Sequence, residues 1–316
     1  LPGMDWEVNH TLNESYGFSA HDVGWKDTKT VVRLLCDIVS KGGNLLLNIG
    51  PDANGRVPEA AQQTLRGVGA WMRVHGEAIY GTTASPFSRL SWGRATQKPG
   101  TLYLMVFDWQ PGGAFWLPIR NRITAVDVLG SDVKCRVARD ESGGGTVLGL
   151  PAQPIDPVCT VVRVRYEGAL DPLPFAVYPS KGGELVLLPH DAALEGPSIK
   201  VEQVGVIGDV KHNIGYWLDP AASASWPVAS HRAGKYRVLA ELACKTESAG
   251  AKASLGCGGA RVEFTVEGTG GWQDYREFDL GVVELPAGPQ TVSLRASSKP
   301  GEAVVNVRAI RLVPVP

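Results

Sequence analysis

The chain reads as an α/β segment followed by two all-β domains, and three features of its sequence carry that assignment. First, an amphipathic run over residues 30–39 stops at Gly42-Gly43, and the short apolar run Leu45-Leu46-Leu47 follows. That run ends in Asn48 and Gly50-Pro51, which cannot prolong a strand, and a second helical pattern opens just after Pro58. Helix–strand–helix is the repeating unit of (β/α) barrels, whose enzymes keep their chemistry at the carboxyl ends of the strands, where Asn48 stands. Second, 27 of the 38 glycines and 19 of the 22 prolines lie beyond Thr82, between short runs of β alternation. Third, a proline-rich joint, Asp171-Pro172-Leu173-Pro174 through Pro179-Ser180-Lys181-Gly182-Gly183, splits the β-rich part in two.

Within the middle part, residues 86–179, alternation is clearest at 101–107, 123–129 and 160–166. Turns are expected at Gln110-Pro111-Gly112-Gly113 and Ser142-Gly143-Gly144-Gly145, which predicts an antiparallel β-sandwich. The last part, residues 184–316, alternates at 236–242, 261–266, 291–295 and 306–312, and Pro286-Ala287-Gly288 predicts a turn before the penultimate strand.

With 44% hydrophobic and 20% charged residues, 316 residues can bury more than one core, and two or three domains are expected. A formal net charge of -1 without a basic stripe argues against nucleic acid or an anionic membrane surface as partner. No apolar run is long enough to span a bilayer. Five cysteines leave at least one unpaired. Cys36 falls on the apolar face of the first helix and reads as a buried thiol. Cys135 and Cys159 lie in two strand-like runs, while Cys244 and Cys257 flank residues 245–256, read as a hairpin loop. Either pair suits a disulfide in a secreted protein, and connectivity stays open. The absence of CxxC spacing argues against zinc.

The flanks of the first helix sharpen the reading. Upstream stand Trp6-Glu7-Val8-Asn9-His10-Thr11-Leu12-Asn13-Glu14-Ser15-Tyr16-Gly17-Phe18 and Trp25-Lys26-Asp27. Downstream stand Asp52-Ala53-Asn54-Gly55-Arg56-Val57-Pro58-Glu59 and Gly76-Glu77-Ala78-Ile79-Tyr80-Gly81-Thr82. In order and spacing these motifs resemble the carboxyl-terminal part of the catalytic barrel of family 29 glycoside hydrolases, the α-L-fucosidases. The resemblance covers roughly the first quarter of the chain. It implies that residues 1–85 are the remnant of a (β/α)8 barrel, with the β-sandwich packed beside it. A whole barrel takes about 250 residues. The family's amino-terminal half, with its aspartate nucleophile and clamping histidines, is therefore expected outside this chain. Opening on Leu1-Pro2-Gly3, the chain reads as a fragment of a secreted or periplasmic bacterial enzyme that acts on fucosylated oligosaccharides without metal or cofactor.

A retaining glycosidase pairs its nucleophile with a second carboxyl group, about 5–5.5 Å away, that donates and later removes a proton. By resemblance that group is Glu7, with Trp6 as an apolar wall that raises its pKa. An ion-paired surface role is the competing one for Glu7. Asp5 and Glu14 are rival carboxylates outside the motif. His10 and His21 read as loop residues or residues behind the site rather than metal ligands, with His10 and Trp6 also candidates for substrate binding. Trp25 either stacks on the apolar face of fucose or packs internally. Asn48 is expected to orient Glu7 or contact sugar hydroxyls. Tyr16-Gly17 departs from the Trp-Gly common in the family.

The order Ala193-Leu194-Glu195-Gly196, Ile214-Gly215-Tyr216-Trp217, Ala224-Ser225-Trp226 and Gly234-Lys235-Tyr236-Arg237-Val238 resembles carbohydrate-binding jelly rolls of families 6 and 35. This implies a terminal jelly roll with Trp217, Trp226 and Trp272 as stacking candidates, core packing being their competing role, and a possible structural calcium. Pro227 suggests that Trp226 sits at a strand edge. The alternative function for the chain is thus a non-catalytic carbohydrate-binding module.

Overall fold

The computed structural model describes residues 4–90, 92–109, 111–139, 145–180, 182–204, 211–230 and 233–315. They form two compact units, Leu1–Phe175 and Ala176–Pro316.

In the first unit, strand β1 (Glu7–Thr11) pairs in parallel with β2 (Asn44–Asn48), and helix α1 (Thr28–Ser40) makes the crossover between them. The helix starts where the Asp27 carboxylate accepts the Thr30 amide at 2.7 Å, which satisfies one of the orphan donors of its first turn. It stops because Gly42 takes the left-handed φ of 81° that ordinary residues avoid. Gly43 is required for another reason: a Cβ there would collide with the indole of Trp6. Helix α2 (Glu59–His75) opens after Pro58, as the sequence indicates.

Seven further strands complete this unit: β3 (Gly93–Lys98), β4 (Thr101–Val106), β5 (Ala114–Leu117), β6 (Ile123–Val128), β7 (Arg136–Arg139), β8 (Thr146–Gly149) and β9 (Thr160–Tyr166). They make two antiparallel sheets, ordered β3-β4-β9-β6 and β5-β8-β7. Gln110 and Ser142-Gly143-Gly144 of the expected turns lie outside the described residues; Gly112 and Gly113, both with positive φ, turn the chain between β4 and β5. Strand β4 is apolar at both parities because both its faces are covered. Leu102, Leu104 and Val106 enter the core between the sheets with Phe115, Leu117 and Leu148. Tyr103 and Met105 point the other way, into a second core built with Val32, Cys36, Trp71, Ala78 and Val161.

That second core runs across residue 85, from the helices to the sandwich. The helices and the sandwich share one apolar interior, and polar bonds reinforce the joint. The Trp71 indole donates to the Cys159 carbonyl at 2.9 Å, and Thr96 donates to the Ala78 carbonyl at 2.6 Å. Arg94 pairs with Asp37 at 2.5 Å and Arg163 with Glu77 at 2.8 Å. The second boundary falls between Phe175 and Ala176, inside the proline-rich joint.

The second unit is entirely β. Its strands are β10 (Leu185–Leu187), β11 (Ala193–Glu195), β12 (Lys200–Val204), β13 (Lys211–Gly215), β14 (Ser223–Ser230), β15 (Gly234–Ala243), β16 (Lys252–Cys257), β17 (Ala260–Thr265), β18 (Arg276–Leu285), β19 (Gly288–Ala296) and β20 (Asn306–Pro314). One sheet runs β12-β13-β20-β15-β18 with β10 also on β20; the other runs β11-β14-β19-β16-β17. The turn at Pro286-Ala287 leads into β19, the penultimate strand. The core between the sheets is filled by Trp217, Trp226, Val238, Leu255, Leu294 and Ile310, among others.

For this unit one open choice is decided and two expectations are overturned. Trp217 and Trp226 are fully buried, with the Trp226 indole donating to the Leu188 carbonyl at 2.8 Å, so neither ring can meet a ligand. Pro227 does not mark an edge strand: β14 lies between β11 and β19. The proline is tolerated because β11 pairs only as far as Ser225, leaving no ladder partner that needs its missing N–H. Residues 245–256 are no hairpin loop, since they cross from β15 in one sheet to β16 in the other. Cys244 and Cys257 therefore stand apart, and all five cysteines are free thiols.

Two outcomes follow for the first unit. In limited proteolysis, cuts should fall between Leu12 and Asp27 and between Ile49 and Pro58, while α1 and α2 resist together with the sandwich. Loss of the helices ahead of the strands would contradict the shared core. Trp71→Ala should lower the unfolding free energy by about 3–5 kcal/mol in denaturant titration.

A pH dependence is also built in. His75 is buried at the end of α2, its Nε2 3.3 Å from the Asp156 carboxylate, and burial lowers its pKa below the ordinary 6.5 although Asp156 opposes the shift. The folded state thus binds fewer protons than the unfolded one just below 6.5. This contribution is fully present above 6.5 and is lost as pH falls toward the folded-state pKa. The drop in stability between about pH 7.5 and pH 5.5 should shrink in His75→Gln, which keeps a donor for Asp156 but cannot titrate. An unchanged drop would assign the effect to other groups.

Candidate active site

The parallel register of β1 and β2 sets the geometry of the site, because it gives the ribbon two distinct ends. Glu7 faces Asn44 at the amino end, and Thr11 faces Asn48 at the carboxyl end. Four residue steps of about 3.3 Å separate these ends by roughly 13 Å. Asn48 therefore does not orient Glu7, contrary to expectation. Trp6 and Glu7 sit at the amino end, where the Trp6 carbonyl accepts the Asn44 amide at 3.0 Å and the indole lies across Gly43. Trp6 is thus a packing residue of the strand entrance, and Glu7 is exposed.

The carboxyl end holds a connected polar knot. The Asn48 amide donates to Thr11 Oγ1 at 3.1 Å and to the Tyr16 carbonyl at 2.7 Å. Thr11 donates to Asn13 Oδ1 at 2.6 Å, and buried Asn13 donates to the Gly17 carbonyl at 2.9 Å and to Asp22 at 2.6 Å. Asp22 also accepts from the amide and hydroxyl of Ser15, at 3.2 and 3.0 Å. Lys26 reaches back to the Thr11 carbonyl at 2.6 Å. Gly50 completes the knot, since a Cβ there would come within 2.6 Å of the Gly17 carbonyl.

This network ties the loop after β1 to the strand ends and turns Tyr16 and Phe18 outward, at 61% and 51% exposure. His21 lies exposed on the same loop, whereas His10 is half-buried within β1. Trp25 takes the internal option: it packs beside Leu12, Val31 and Ala61, and its indole donates to the Asp22 carbonyl at 3.2 Å. Of the rival carboxylates, Asp5 is exposed before β1 and Glu14 lies against Gly24. Asn13, Ser15 and Asp22 are the site residues that pattern reading passes over. The available signal was the cluster of turn-forming Asn, Ser, Gly and Asp directly after a strand. Among the described residues no three His, Cys, Asp or Glu side chains converge as a metal site, in either unit. No helix among them is long and apolar enough to cross a membrane.

Comparison with known proteins agrees with the motifs. The family model described as Alpha-L-fucosidase matches residues 2–77. The α-L-fucosidase of Branchiostoma floridae is 37% identical over 133 residues, which is 40% of this chain and 30% of that protein. The tissue α-L-fucosidase of Homo sapiens is 32% identical over 168 residues, 49% of this chain and 34% of that protein. The chain thus spans about a third of the length of the relatives it matches. Among solved structures, an α-L-fucosidase from Vibrio sp. strain EJY3 superimposes with a TM-score of 0.69 at 24% identity, over 99% of this chain and 55% of that one, a likeness of fold. The order of the motifs, the βαβ unit they form and the matched family model converge: the stretch 2–77 belongs to the α-L-fucosidase family.

Proposed function

We propose that this chain is part of a retaining α-L-fucosidase, in which β1, α1, β2 and α2 close the end of a (β/α)8 barrel and the sandwich and the second unit are accessory domains. The observation that carries the reading is the state of the ribbon itself. Strands of parallel sheets are covered on both faces, yet no residue of the apolar β2 is buried and Leu46 is 48% exposed. Further barrel strands, carrying the nucleophile, would cover that surface. The substrate is then a glycan with terminal α-L-fucose, approached from the carboxyl ends of the strands.

Strand polarity bears on the roles. Barrel chemistry takes place where Thr11 and Asn48 stand, and Glu7 is at the opposite end. We therefore assign Glu7 to the strand entrance rather than to proton transfer. Asp22 is held by Asn13 and Ser15, and Asp52 by the amides of Asn54 and Arg56, so both shape loops. The proton donor in this reading comes from outside the knot, which positions the wall of the pocket. A jelly roll that binds carbohydrate remains the reading of the second unit, with its two-sheet topology as support.

The test is hydrolysis of a 4-nitrophenyl α-L-fucoside by the polypeptide read from the whole open reading frame, beside the 316-residue chain alone. Activity in the former only is expected; an inactive whole polypeptide would end the fucosidase reading. In the active form, Glu7→Gln should change kcat/KM by less than about threefold, against the 10²–10⁴-fold expected of a lost general acid. Asn48→Ala should cost on the order of 10–100-fold by releasing the loop. The reverse ranking would restore Glu7 as acid/base.

A further inference from the structure

The two tryptophans of the second unit that looked most able to bind sugar are buried, but burying one of them presents its neighbour. Trp217 is fixed in the core, and its carbonyl accepts the Val304 amide at 2.9 Å. Tyr216 immediately before it has a left-handed φ of 51°, a conformation that ordinary residues avoid. A bond from the Leu218 amide to the Tyr216 carbonyl, 2.9 Å, closes the tight turn. The ring is left 50% exposed, with the Lys200 ammonium 3.8 Å from its centroid. The left-handed turn seats Trp217 in the core and leaves the Tyr216 ring presented to solvent.

The sheet face beside Tyr216 is prepared for polar recognition. Lys200 pairs with Gly215 and Glu202 with Asn213, so period two puts all four on one face of β12 and β13. Asn213 donates to Glu202 at 2.9 Å, which fixes the carboxylate. Gly215 leaves room for it, since a Cβ there would collide with Glu202 Oε2. Farther along, Tyr275 lies over Arg308, 3.5 Å from guanidinium carbon to ring centroid, and Arg308 pairs with Glu241 at 3.0 Å. Glu202 and Glu241 both act on the Tyr275 hydroxyl, whose pKa is pushed up to about 12 chiefly by burial. Nearest Tyr216 stand one cation, Lys200, and one carboxylate, Glu202, a pairing that suits a neutral polar ligand.

We infer that Tyr216, with Glu202, Asn213 and Lys200 beside it, forms a binding site for a neutral pyranose sugar. The C–H face of the sugar ring takes the place over Tyr216 where the Lys200 ammonium now lies, and vicinal hydroxyls bond the Glu202 carboxylate and the displaced ammonium. This rests on the carbohydrate-binding reading of the second unit, not on fucosidase activity.

The experiment is saturation-transfer NMR and calorimetric titration of the 316-residue chain with methyl α-L-fucopyranoside, methyl β-D-galactopyranoside and cellotetraose. Saturable binding of at least one sugar is expected, with Kd in the high micromolar to millimolar range of about 10⁻⁴–10⁻² M. Tyr216→Gly separates a binding role from a structural one, because glycine adopts the left-handed turn without strain. It should leave the melting temperature equal or higher while weakening binding at least about tenfold, and Glu202→Gln should weaken it comparably. No saturation by any of the three sugars up to tens of millimolar, or equal affinity in Tyr216→Gly, overturns the site. Because no hydrolysis is measured, either result leaves the fucosidase reading to its own test.

Discussion

The first unit depends on one constraint: the sheet β3-β4-β9-β6 must be covered on both faces. A strand such as Thr101-Leu102-Tyr103-Leu104-Met105-Val106 has no polar side to give to water. Its even residues are met by the second sheet and its odd ones by the helices. Each apolar side chain so buried contributes about 1.5–3 kcal/mol, and Trp71 adds a satisfied indole. Because the helices are held in this way, the β1–β2 ribbon has a fixed base. The loop at its carboxyl end can then be shaped by hydrogen bonds alone.

Those bonds illustrate a division of labour common in α/β proteins. The ribbon supplies position, and short polar side chains supply conformation. Thr11, Asn13, Ser15, Asp22 and Asn48 each satisfy a neighbour that would otherwise be an unpaired group near a half-buried strand end. Asp22 is the acceptor at the centre of the knot, taking bonds from Asn13 and from the amide and hydroxyl of Ser15, and the remaining bonds of these five side chains join neutral groups.

Much of this was legible in the amino-acid sequence, and the exceptions have physical causes. Strand β9 spans the residues that alternation marks, because Val162, Val164 and Tyr166 recur on one face while Arg163 and Arg165 fall on the other. Strand β1 escapes notice because Glu-Val-Asn-His-Thr has a single apolar residue, and its pairing partner lies beyond a whole helix. The strands β5, β7 and β8 have four residues each, too few for a period to show. For Glu7 a motif names the residue but not the end of the strand on which it falls. With Tyr216-Trp217 the period fails outright, since a left-handed residue swaps which of two adjacent rings faces inward. That the sandwich packs beside the helices was expected from the resemblance, while the residues that build their shared core, Tyr103 and Met105 against Val32, Cys36 and Trp71, show only in the structure.

The five thiols differ sharply in their surroundings. Cys36, Cys159, Cys244 and Cys257 lie within apolar cores, and Cys135 alone is partly open to solvent. Burial raises the pKa of Cys135 as well, so its thiolate is scarce at neutral pH. A maleimide dye at mildly alkaline pH would then mark one position, at the start of β7, in otherwise native protein. The four silent sulfurs become a clock for unfolding, each unit reporting its own opening through the moment its pair becomes alkylated.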